Sequence, residues 1–187
     1  MQDILIIGGG INGVGIARDA VGRGLNVTLV EKGDLASQTS SWSTKLIHGG
    51  IRYLENYEFR LVRESLKERE VIKYIAPHIS KPIRFVMPHV SYLRPVWLIR
   101  MGLLLYDWLG GFITLPKSKY VNLQNDYSDN PLKDNFQKGY EYSDLSIDDA
   151  RLVLLNAQDA LNRGAEIILN KSVTNAIRHD DYWEVEL

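Results

Sequence analysis

Short apolar runs alternate with an amphipathic segment in the first thirty residues. Residues 3–7 are an apolar run that ends at glycine, and residues 26–30 are rich in β-branched side chains, so both are predicted to be buried parallel strands. Between them, residues 11–23 carry an apolar stripe at helical spacing, and Gly22 and Gly24 mark its end. The pattern predicts a βαβ unit, whose crossover is right-handed in nearly every known case.

The same α/β pattern returns in the last forty residues. A helix is predicted to begin after an N-cap at Ser146, to run to Arg163 and to end with Gly164 as C′. Residues 166–169 are a predicted strand, and residues 172–187 alternate in a way that predicts a hairpin. Because the sequence stops within that alternation, we expect it to be the N-terminal portion of a longer protein.

The middle of the chain has a different character. A helix is predicted over residues 57–76, a strand over 83–90 and a second helix over 95–113, whereas residues 116–137 are polar and rich in turn formers. All six prolines lie between positions 77 and 131. This change predicts a second subdomain inserted into the first, with the chain divided into residues 1–76, 77–143 and 144–187.

Composition narrows the function classes. The 187 residues have a net charge of −1, which gives no sign of a nucleic-acid partner, and no cysteine, which excludes disulfides, cysteine-based zinc sites and thiol catalysis. The four histidines lack metal-ligand spacing, so no metal is expected. The N-terminus lacks the basic start of a signal peptide. The apolar stretch 95–113 carries Arg100 and Asp107, so it is expected to be a buried helix, or a helix that docks on a membrane surface or a partner, rather than a membrane span.

The strongest chemical motif lies at the first strand-to-helix turn. Gly8, Gly10 and Gly13 have the G-x-G-x-x-G spacing, and Glu31 follows the next strand. Gly8 allows the tight turn, Gly10 lets backbone approach a pyrophosphate, and Gly13 lets the helix pack closely on the strand. The helix N-terminus supplies N–H groups to the anion, and Glu31 can accept hydrogen bonds from a ribose. The motif predicts a dinucleotide with an ADP half, NAD or FAD.

A hydroxyl-rich segment favours FAD. Most of residues 37–44 are serine or threonine, and His-Gly-Gly follows at 48–50, where a nicotinamide-binding domain would continue with another strand and helix. Hydroxyl groups offer donors to a second phosphate and a ribityl chain, and bare glycine backbone lets a flat ring approach. The carboxylate at Glu31 disfavours the 2′-phosphate of NADP.

Several stretches of the sequence resemble a known family. The stretches "IIGGGINGVGIARDAVGRGLNVTLVEKGDLASQTSSWSTKLIHGGIRYLE", "YEFRLVRESLKEREV", "APH", "LRPVW" and "YEYSDLSIDDARLVLLNA" resemble the N-terminal portion of the FAD-dependent, quinone-linked glycerol-3-phosphate dehydrogenases. The resemblance covers nearly the whole chain, and "TSSWSTKLIHGGIRYLE" is its specific part. It implies an α/β fold: a Rossmann-like FAD-binding domain of the glutathione-reductase and D-amino-acid-oxidase type, with part of an inserted α+β substrate or cap subdomain.

The resemblance also implies an activity. It is the oxidation of sn-glycerol 3-phosphate to dihydroxyacetone phosphate, with hydride passing to N5 of FAD and electrons to ubiquinone or menaquinone. The implied location is cytoplasmic, peripheral to the inner membrane in the full-length enzyme, with a homodimer as a further expectation. Two alternatives stay open: an oxidase that uses oxygen, and a non-catalytic dinucleotide-binding fragment.

The resemblance places site residues on both glycine-containing segments. Arg52 is expected to bind the substrate phosphate, Tyr53 to donate a hydroxyl hydrogen bond to the substrate, and His48 to accept a proton. Val173 is expected to contact adenine through a backbone at a strand. The expected cofactor-binding residues are Gly8, Gly10, Ile11, Asn12, Gly13, Glu31, Lys32, Ser40, Ser41, Ser43, Thr44, Lys45, Leu46, His48, Gly49 and Val173.

Overall fold

The computed structural model describes residues 1–90, 92–111, 114–126, 132–133 and 135–187. Its strands in chain order are β1 (Ile4–Ile7), β2 (Val27–Val30), β3 (Leu46–Ile47), β4 (Ser80–Pro88), β5 (Lys119–Asn122), β6 (Lys138–Ile147), β7 (Glu166–Ile168), β8 (Asn175–Arg178) and β9 (Trp183–Glu186). Its α-helices are α1 (Ile11–Gly22), α2 (Phe59–Ile75), α3 (Val96–Leu109) and α4 (Asp149–Asn162). Short 3-10 helices lie at Thr39–Ser41 and Ile51–Asn56.

The chain packs as two compact units. The first comprises Met1–Lys45 and Asp148–Leu187, and the second comprises Leu46–Ile147. The chain therefore leaves the first unit after the hydroxyl-rich segment and returns to it at the start of α4. These limits describe packing; the functional domains 1–76, 77–143 and 144–187 stay a prediction.

A three-stranded parallel sheet organises the first unit. Its order is β1-β2-β7, with Ile4 opposite Val27 and Val30 opposite Ile168. Every residue of β2 is buried, as its apolar, β-branched sequence predicts for a central parallel strand. The predicted βαβ pattern and the strand after α4 are confirmed.

Small side chains let the helices of this unit approach each other. Ala17 and Ala20 of α1 and Ala157 and Ala160 of α4 are all buried in one apolar cluster, which also contains residues of β1 and β2. The predicted C-terminal hairpin is also present, because β8 and β9 pair antiparallel from Asn175–Glu186 to Arg178–Trp183.

An antiparallel sheet organises the second unit. Its longest strand, β6, pairs along its length with β4, from Ser80–Ile147 to Pro88–Gly139. β3 and β5 also pair antiparallel with β6, at opposite ends of it. Helices α2 and α3 contact each other, and Val62, Leu66 and Tyr106 form a buried cluster between them.

The expected N-cap of the last helix is wrong. Ser146 lies inside β6, where it pairs with Leu46 and Lys81, and Asp148 is the N-cap instead. The side chain of Asp148 accepts a hydrogen bond from the N–H of Arg151 at 3.0 Å. The residue pattern of this segment does not predict β6, because it is also compatible with a loop that leads into a helix. Pairing with β3, β4 and β5 holds the segment extended.

Other element limits differ by a few residues. The helix predicted over 57–76 begins at Phe59, and the strand predicted over 83–90 is β4, which begins at Ser80. The helix predicted over 95–113 ends at Leu109, and the last two residues of that prediction lie outside the described residues. The polar segment 116–137 contains β5, which pairing with β6 stabilises in spite of weak local signals; its residues 127–131 and 134 are outside the described part.

Candidate functional site

A glycine-lined cleft lies at the carboxyl end of β1. It has a volume of about 460 Å³, and it is lined by Ile7, Gly8, Gly9, Gly10, Ile11, Asn12, Gly13, Glu31, Ala36, Ser37, Gln38, Thr39 and Ser40. The carboxyl ends of parallel strands are where open α/β sheets bind ligands. The cleft therefore brings together the glycine motif, the acid after β2 and the start of the hydroxyl-rich segment.

Two of the motif glycines have a measurable steric reason. Gly8 has φ +110, a conformation that residues with a side chain rarely adopt. A Cβ at Gly13 would lie 1.9 Å from the carbonyl oxygen of Gly8, so only glycine lets α1 start this close to β1. These geometries agree with the expected tight turn and close helix–strand packing.

The N-terminus of α1 opens into the cleft. Gly10 is its N-cap, and the first turn is formed by Ile11, Asn12, Gly13 and Val14, which leaves the positive end of the helix dipole without a side-chain carboxylate. The N–H of Ile11 donates to Ser40 Oγ at 2.9 Å. Ser40 Oγ thus lies where the backbone N–H groups at the start of α1 can bind an oxygen atom of a larger anion.

Glu31 has a structural role in the glycine loop that the motif does not predict. Its carboxylate accepts the N–H of Gly9 at 2.7 Å and the N–H of Gly33 at 2.8 Å. These hydrogen bonds, first from Gly9 and then from Gly33, hold the pKa of the Glu31 carboxyl below its usual range. A Cβ at Gly9 would lie 2.7 Å from Leu35 Cδ2, so a side chain there would displace Leu35. Glu31 thus shapes the glycine loop and keeps its charge there.

The hydroxyl-rich segment is fastened to the start of α4. Ser43 Oγ donates to Asp149 Oδ2 at 2.7 Å, and Lys45 Nζ lies 2.5 Å from Asp149 Oδ1. Ser41 Oγ donates to the carbonyl oxygen of Ala36. Sequence reasoning gave Asp149 no site role; its position in the first turn of a helix was the available signal, since carboxylates favour that position.

Asp149 is nearly buried and stays ionised. Burial alone would raise its pKa, but hydrogen bonds from Lys45, Ser43 and the N–H of Ala150 outweigh burial and lower the pKa to about 2. The carboxylate therefore holds both ends of the segment from Ser43 to Lys45 at neutral pH.

Three further candidates of the first unit lie outside the cleft lining. Lys32 and Thr44 are exposed. Val173 was expected at a strand, but it lies in the irregular segment before β8. That segment is attached to the glycine cleft, because the N–H of Lys171 donates to the carbonyl oxygen of Glu31 at 3.1 Å.

The second unit carries the His-Gly-Gly segment and the residues after it. Leu46 pairs with Ser146 in the sheet, His48 is exposed, and Gly49 and Gly50 are buried. Gly50 has φ +66 and starts the 3-10 helix that carries Arg52 and Tyr53. Space and conformation both require glycine here, because a Cβ at Gly50 would lie 2.4 Å from Tyr53 Cδ2.

Two separate clefts open beside this segment. His48 lines one of about 370 Å³ together with Glu64 and Glu68 of α2. Arg52 lines another of about 270 Å³, whose walls are mainly apolar residues of α3 and of the 3-10 helix that carries Arg52. Tyr53 is about half exposed. The structure thus keeps the three expected catalytic residues on one short segment of the second unit.

Known flavin-dependent proteins match this chain over nearly its whole length. The family profile described as "FAD dependent oxidoreductase" matches residues 3–187. A D-erythritol 1-phosphate dehydrogenase of Brucella abortus is 56% identical over 184 residues, which are 98% of this chain and 37% of that protein. A glycerol-3-phosphate dehydrogenase of Pseudomonas tolaasii is 57% identical over 187 residues, which are 100% of this chain and 36% of that protein. The chain thus spans little more than a third of the length of these relatives.

A solved structure gives the same picture. The glycerol-3-phosphate dehydrogenase of Bacillus halodurans complexed with FAD matches with a TM-score of 0.65 and 31% identity, over 96% of this chain and 28% of that one. This likeness confirms the predicted Rossmann-like, FAD-binding fold class.

Proposed function

The chain belongs to the FAD dependent oxidoreductase family, and from this premise we propose that the complete protein oxidises sn-glycerol 3-phosphate to dihydroxyacetone phosphate. The observation that carries the proposal is the 57% identity to a glycerol-3-phosphate dehydrogenase across all 187 residues. The predicted cofactor, FAD, is confirmed for the family. The enzyme class, a flavin oxidoreductase, follows from the same membership.

The first unit provides what the ADP half of FAD requires. The cleft at Gly8 to Gly13 exposes backbone donors at the positive end of α1, where a pyrophosphate is stabilised. Glu31 borders the same cleft and has its charge maintained by Gly9 and Gly33, so a ribose hydroxyl can donate to it. Lys32, Thr44 and Val173 border the adenosine and the second phosphate in this proposal.

The hydroxyl-rich segment completes the proposed cofactor contacts. Ser40 already accepts from the N–H of Ile11, and its hydroxyl proton remains available to a phosphate oxygen. Ser41, Ser43 and Lys45 are fixed by Ala36 and Asp149, so their backbone groups are held ready for the ribityl chain. Bound FAD supplies a hydride acceptor at N5; this chain supplies position and charge.

The second unit provides the proposed substrate contacts. Arg52 is suited to a bidentate contact with a dianionic phosphate, and Tyr53 offers a hydroxyl donor. When the secondary alcohol is oxidised, its C–H electron pair leaves as hydride and its O–H proton must pass to a base. His48 is exposed beside Glu64 and Glu68, and it takes the role of proton acceptor in this proposal.

A second substrate has equal support from a specific observation. The 56% identity to a D-erythritol 1-phosphate dehydrogenase is within one percentage point of the identity to the glycerol 3-phosphate enzyme. The two substrates share a phosphate and a secondary alcohol and differ by one hydroxylated carbon. The conclusion that covers both is a polyol phosphate dehydrogenase, and glycerol 3-phosphate is our first choice.

A direct assay separates these choices. The complete protein with FAD is given each polyol phosphate, and kcat/KM is measured with an artificial electron acceptor. We expect glycerol 3-phosphate to be preferred at least tenfold, about what one misplaced polar group costs in binding. A preference for D-erythritol 1-phosphate would make that compound the substrate. If neither compound reduces FAD, the proposed function is overturned.

The electron acceptor is proposed to be ubiquinone or menaquinone. Stoichiometric hydrogen peroxide in the same assay without added acceptor would instead indicate an oxidase. A purified protein without flavin absorbance at about 450 nm would support the non-catalytic alternative. A homodimer is checked by the mass of the complete protein in solution.

A quinone is dissolved in the bilayer, so the protein must reach the membrane. We propose that the exposed face of α3 makes this membrane contact. Trp97, Met101, Leu104 and Trp108 recur at helical spacing and are exposed by 64%, 54%, 49% and 77%. Tryptophan with aliphatic side chains on one helix face suits the interface between lipid headgroups and acyl chains. Among the described residues, no helix is long and apolar enough to span a membrane. The proposed location is the cytoplasmic surface of the inner membrane, as the family resemblance implies.

A further inference from the structure

A chain of buried hydrogen bonds ends at the backbone of Gly49. The N–H of Gly49 donates to the hydroxyl of Tyr106 at 2.8 Å, and this hydroxyl donates to Asp144 Oδ1 at 2.9 Å. Arg69 Nη1 donates to the same carboxylate oxygen at 2.7 Å and to the carbonyl oxygen of Ser143 at 3.1 Å. The three side chains come from α3, β6 and α2, and they meet behind one glycine.

The chemistry of the groups fixes the direction of each hydrogen bond. The guanidinium of Arg69 and the N–H of Gly49 can only donate, and Asp144 Oδ1 accepts from both Arg69 and Tyr106. Burial raises the pKa of Asp144, and hydrogen bonds from Arg69 and Tyr106 oppose that rise. Because the hydroxyl of Tyr106 donates its hydrogen bond to Asp144, the oxygen of that hydroxyl is left to accept from the N–H of Gly49.

The hydrogen bond from Gly49 to Tyr106 lies in tightly packed surroundings. A Cβ at Gly49 would lie 2.5 Å from Leu66 Cδ2 and 2.9 Å from Tyr106 Cε2, so the space beside this peptide is filled. Arg69 and Tyr106 are only 1% and 2% exposed. A buried N–H that loses its partner is costly, and a charged anchor makes the hydrogen bond it supports more directional.

We infer that Tyr106 is a positioning residue, which uses the buried Asp144–Arg69 pair to fix the His48–Gly49 peptide for the flavin ring and the substrate. The amide of Gly49 and the carbonyl group of His48 belong to the same peptide plane, so holding the N–H also sets the direction in which His48 leaves the backbone. Gly50, at φ +66, then directs the chain into the 3-10 helix of Arg52 and Tyr53. The inference rests on the proposed function, because the role of the segment toward flavin does.

The test is Tyr106→Phe in the complete, FAD-loaded protein, compared with Tyr140→Phe. Tyr140 is also buried in the second unit and donates to the carbonyl oxygen of Val96 at 2.8 Å in a partly buried hydrogen bond, so its variant loses one hydroxyl hydrogen bond without touching Gly49. We expect kcat of Tyr106→Phe to fall about tenfold or more, with KM within about twofold, since small misplacements of reacting groups are costly. Tyr140→Phe is expected to keep kcat within about twofold.

Two readouts do not depend on turnover. In Tyr106→Phe the visible flavin bands should shift, and the peptide containing Gly49 should exchange its amide hydrogens faster; Tyr140→Phe should change neither. If wild-type FAD is not reduced by a polyol phosphate, the proposed function fails while these two readouts still decide the inference. Equal kcat, spectra and exchange in the two variants would overturn it.

A milder change covers the case in which Tyr106→Phe does not fold. Replacement of Tyr106 by 3-fluorotyrosine keeps the ring and hydroxyl but weakens the oxygen as an acceptor for Gly49. We expect kcat to fall and the flavin bands to shift in the same direction as for phenylalanine, by a smaller amount. A fluorinated protein that is identical to wild type in both measurements would contradict the positioning role.

Discussion

Gly13 shows how a single residue connects the sequence motif to the packing. Its spacing relative to Gly8 and Gly10 was visible in the sequence, but the reason is a distance: the missing Cβ would lie 1.9 Å from the carbonyl oxygen of Gly8. Backbone cannot move aside as a flexible side chain can. Gly9, by contrast, has no place in the motif, and only the structure shows that Leu35 and Glu31 lie close to it.

We predict that Gly13→Ala destabilises the protein by about 3 kcal/mol and prevents FAD loading, because overpacking must displace α1 from β1. Gly22→Ala is the control: it lies in the same helix with open space around its Cβ position, so it should be neutral or stabilise by up to about 1 kcal/mol. Thermal unfolding and flavin absorbance per protein check both. A yellow, equally stable Gly13→Ala protein would contradict the steric argument.

The lowered pKa of Asp149 predicts that the free energy of unfolding depends on pH. Its folded pKa, about 2, is below its unfolded value of 3.8, so its stabilising effect is complete above about pH 4 and is lost as pH falls toward 2. Allowing for the half-exposed Lys45, wild type should lose about 1–2 kcal/mol in this window relative to Asp149→Asn. Urea unfolding at a series of pH values measures the difference. Asp19→Asn removes a fully exposed pair and should change the profile less.

At the scale of elements, α4 shows where local signals mislead. Ser146, the predicted N-cap, and Asp148, the observed one, are both of residue types that favour this position. Pairing with β3 and β4 keeps Ser146 extended, so the helix begins two residues later than a cap at Ser146 would place it. The same long-range pairing explains why β6 and β5 were missed while α1, β1 and β2, which local periodicity determines, were found.

We expect Asp148→Ala to lower the free energy of unfolding by about 1 kcal/mol, since it removes the side-chain acceptor for Arg151 N–H. Ser146→Ala should cost less than about 0.5 kcal/mol, as for an ordinary substitution away from a cap. Chemical denaturation of the two variants compares the caps directly. A larger loss for Ser146→Ala would favour the cap that the sequence suggested.

At the scale of the whole molecule, the apolar face of α3 predicts lipid binding. The double variant Trp97→Ser, Trp108→Ser should reduce co-sedimentation of the complete protein with phosphatidylglycerol-containing vesicles about tenfold or more, because each buried indole contributes a large apolar area. Trp183→Ser, which removes a similarly exposed tryptophan of β9, should leave binding unchanged. Equal binding of all three proteins would place the membrane contact elsewhere.

The sequence by itself determined the cofactor class, the βαβ start and the family resemblance, because glycine spacing, apolar periodicity and the "TSSWSTKLIHGGIRYLE" segment are local patterns. Tertiary structure alone decided which side chains support them. Glu31 binds Gly9, Asp149 binds Lys45, and Arg69 with Asp144 holds Tyr106 against Gly49, over separations of 22 to 104 residues. Such contacts leave no periodic trace, since they depend on strands and helices meeting in space. The buried group of Arg69, Tyr106 and Asp144 is therefore a property of the tertiary structure, which the sequence pattern does not predict.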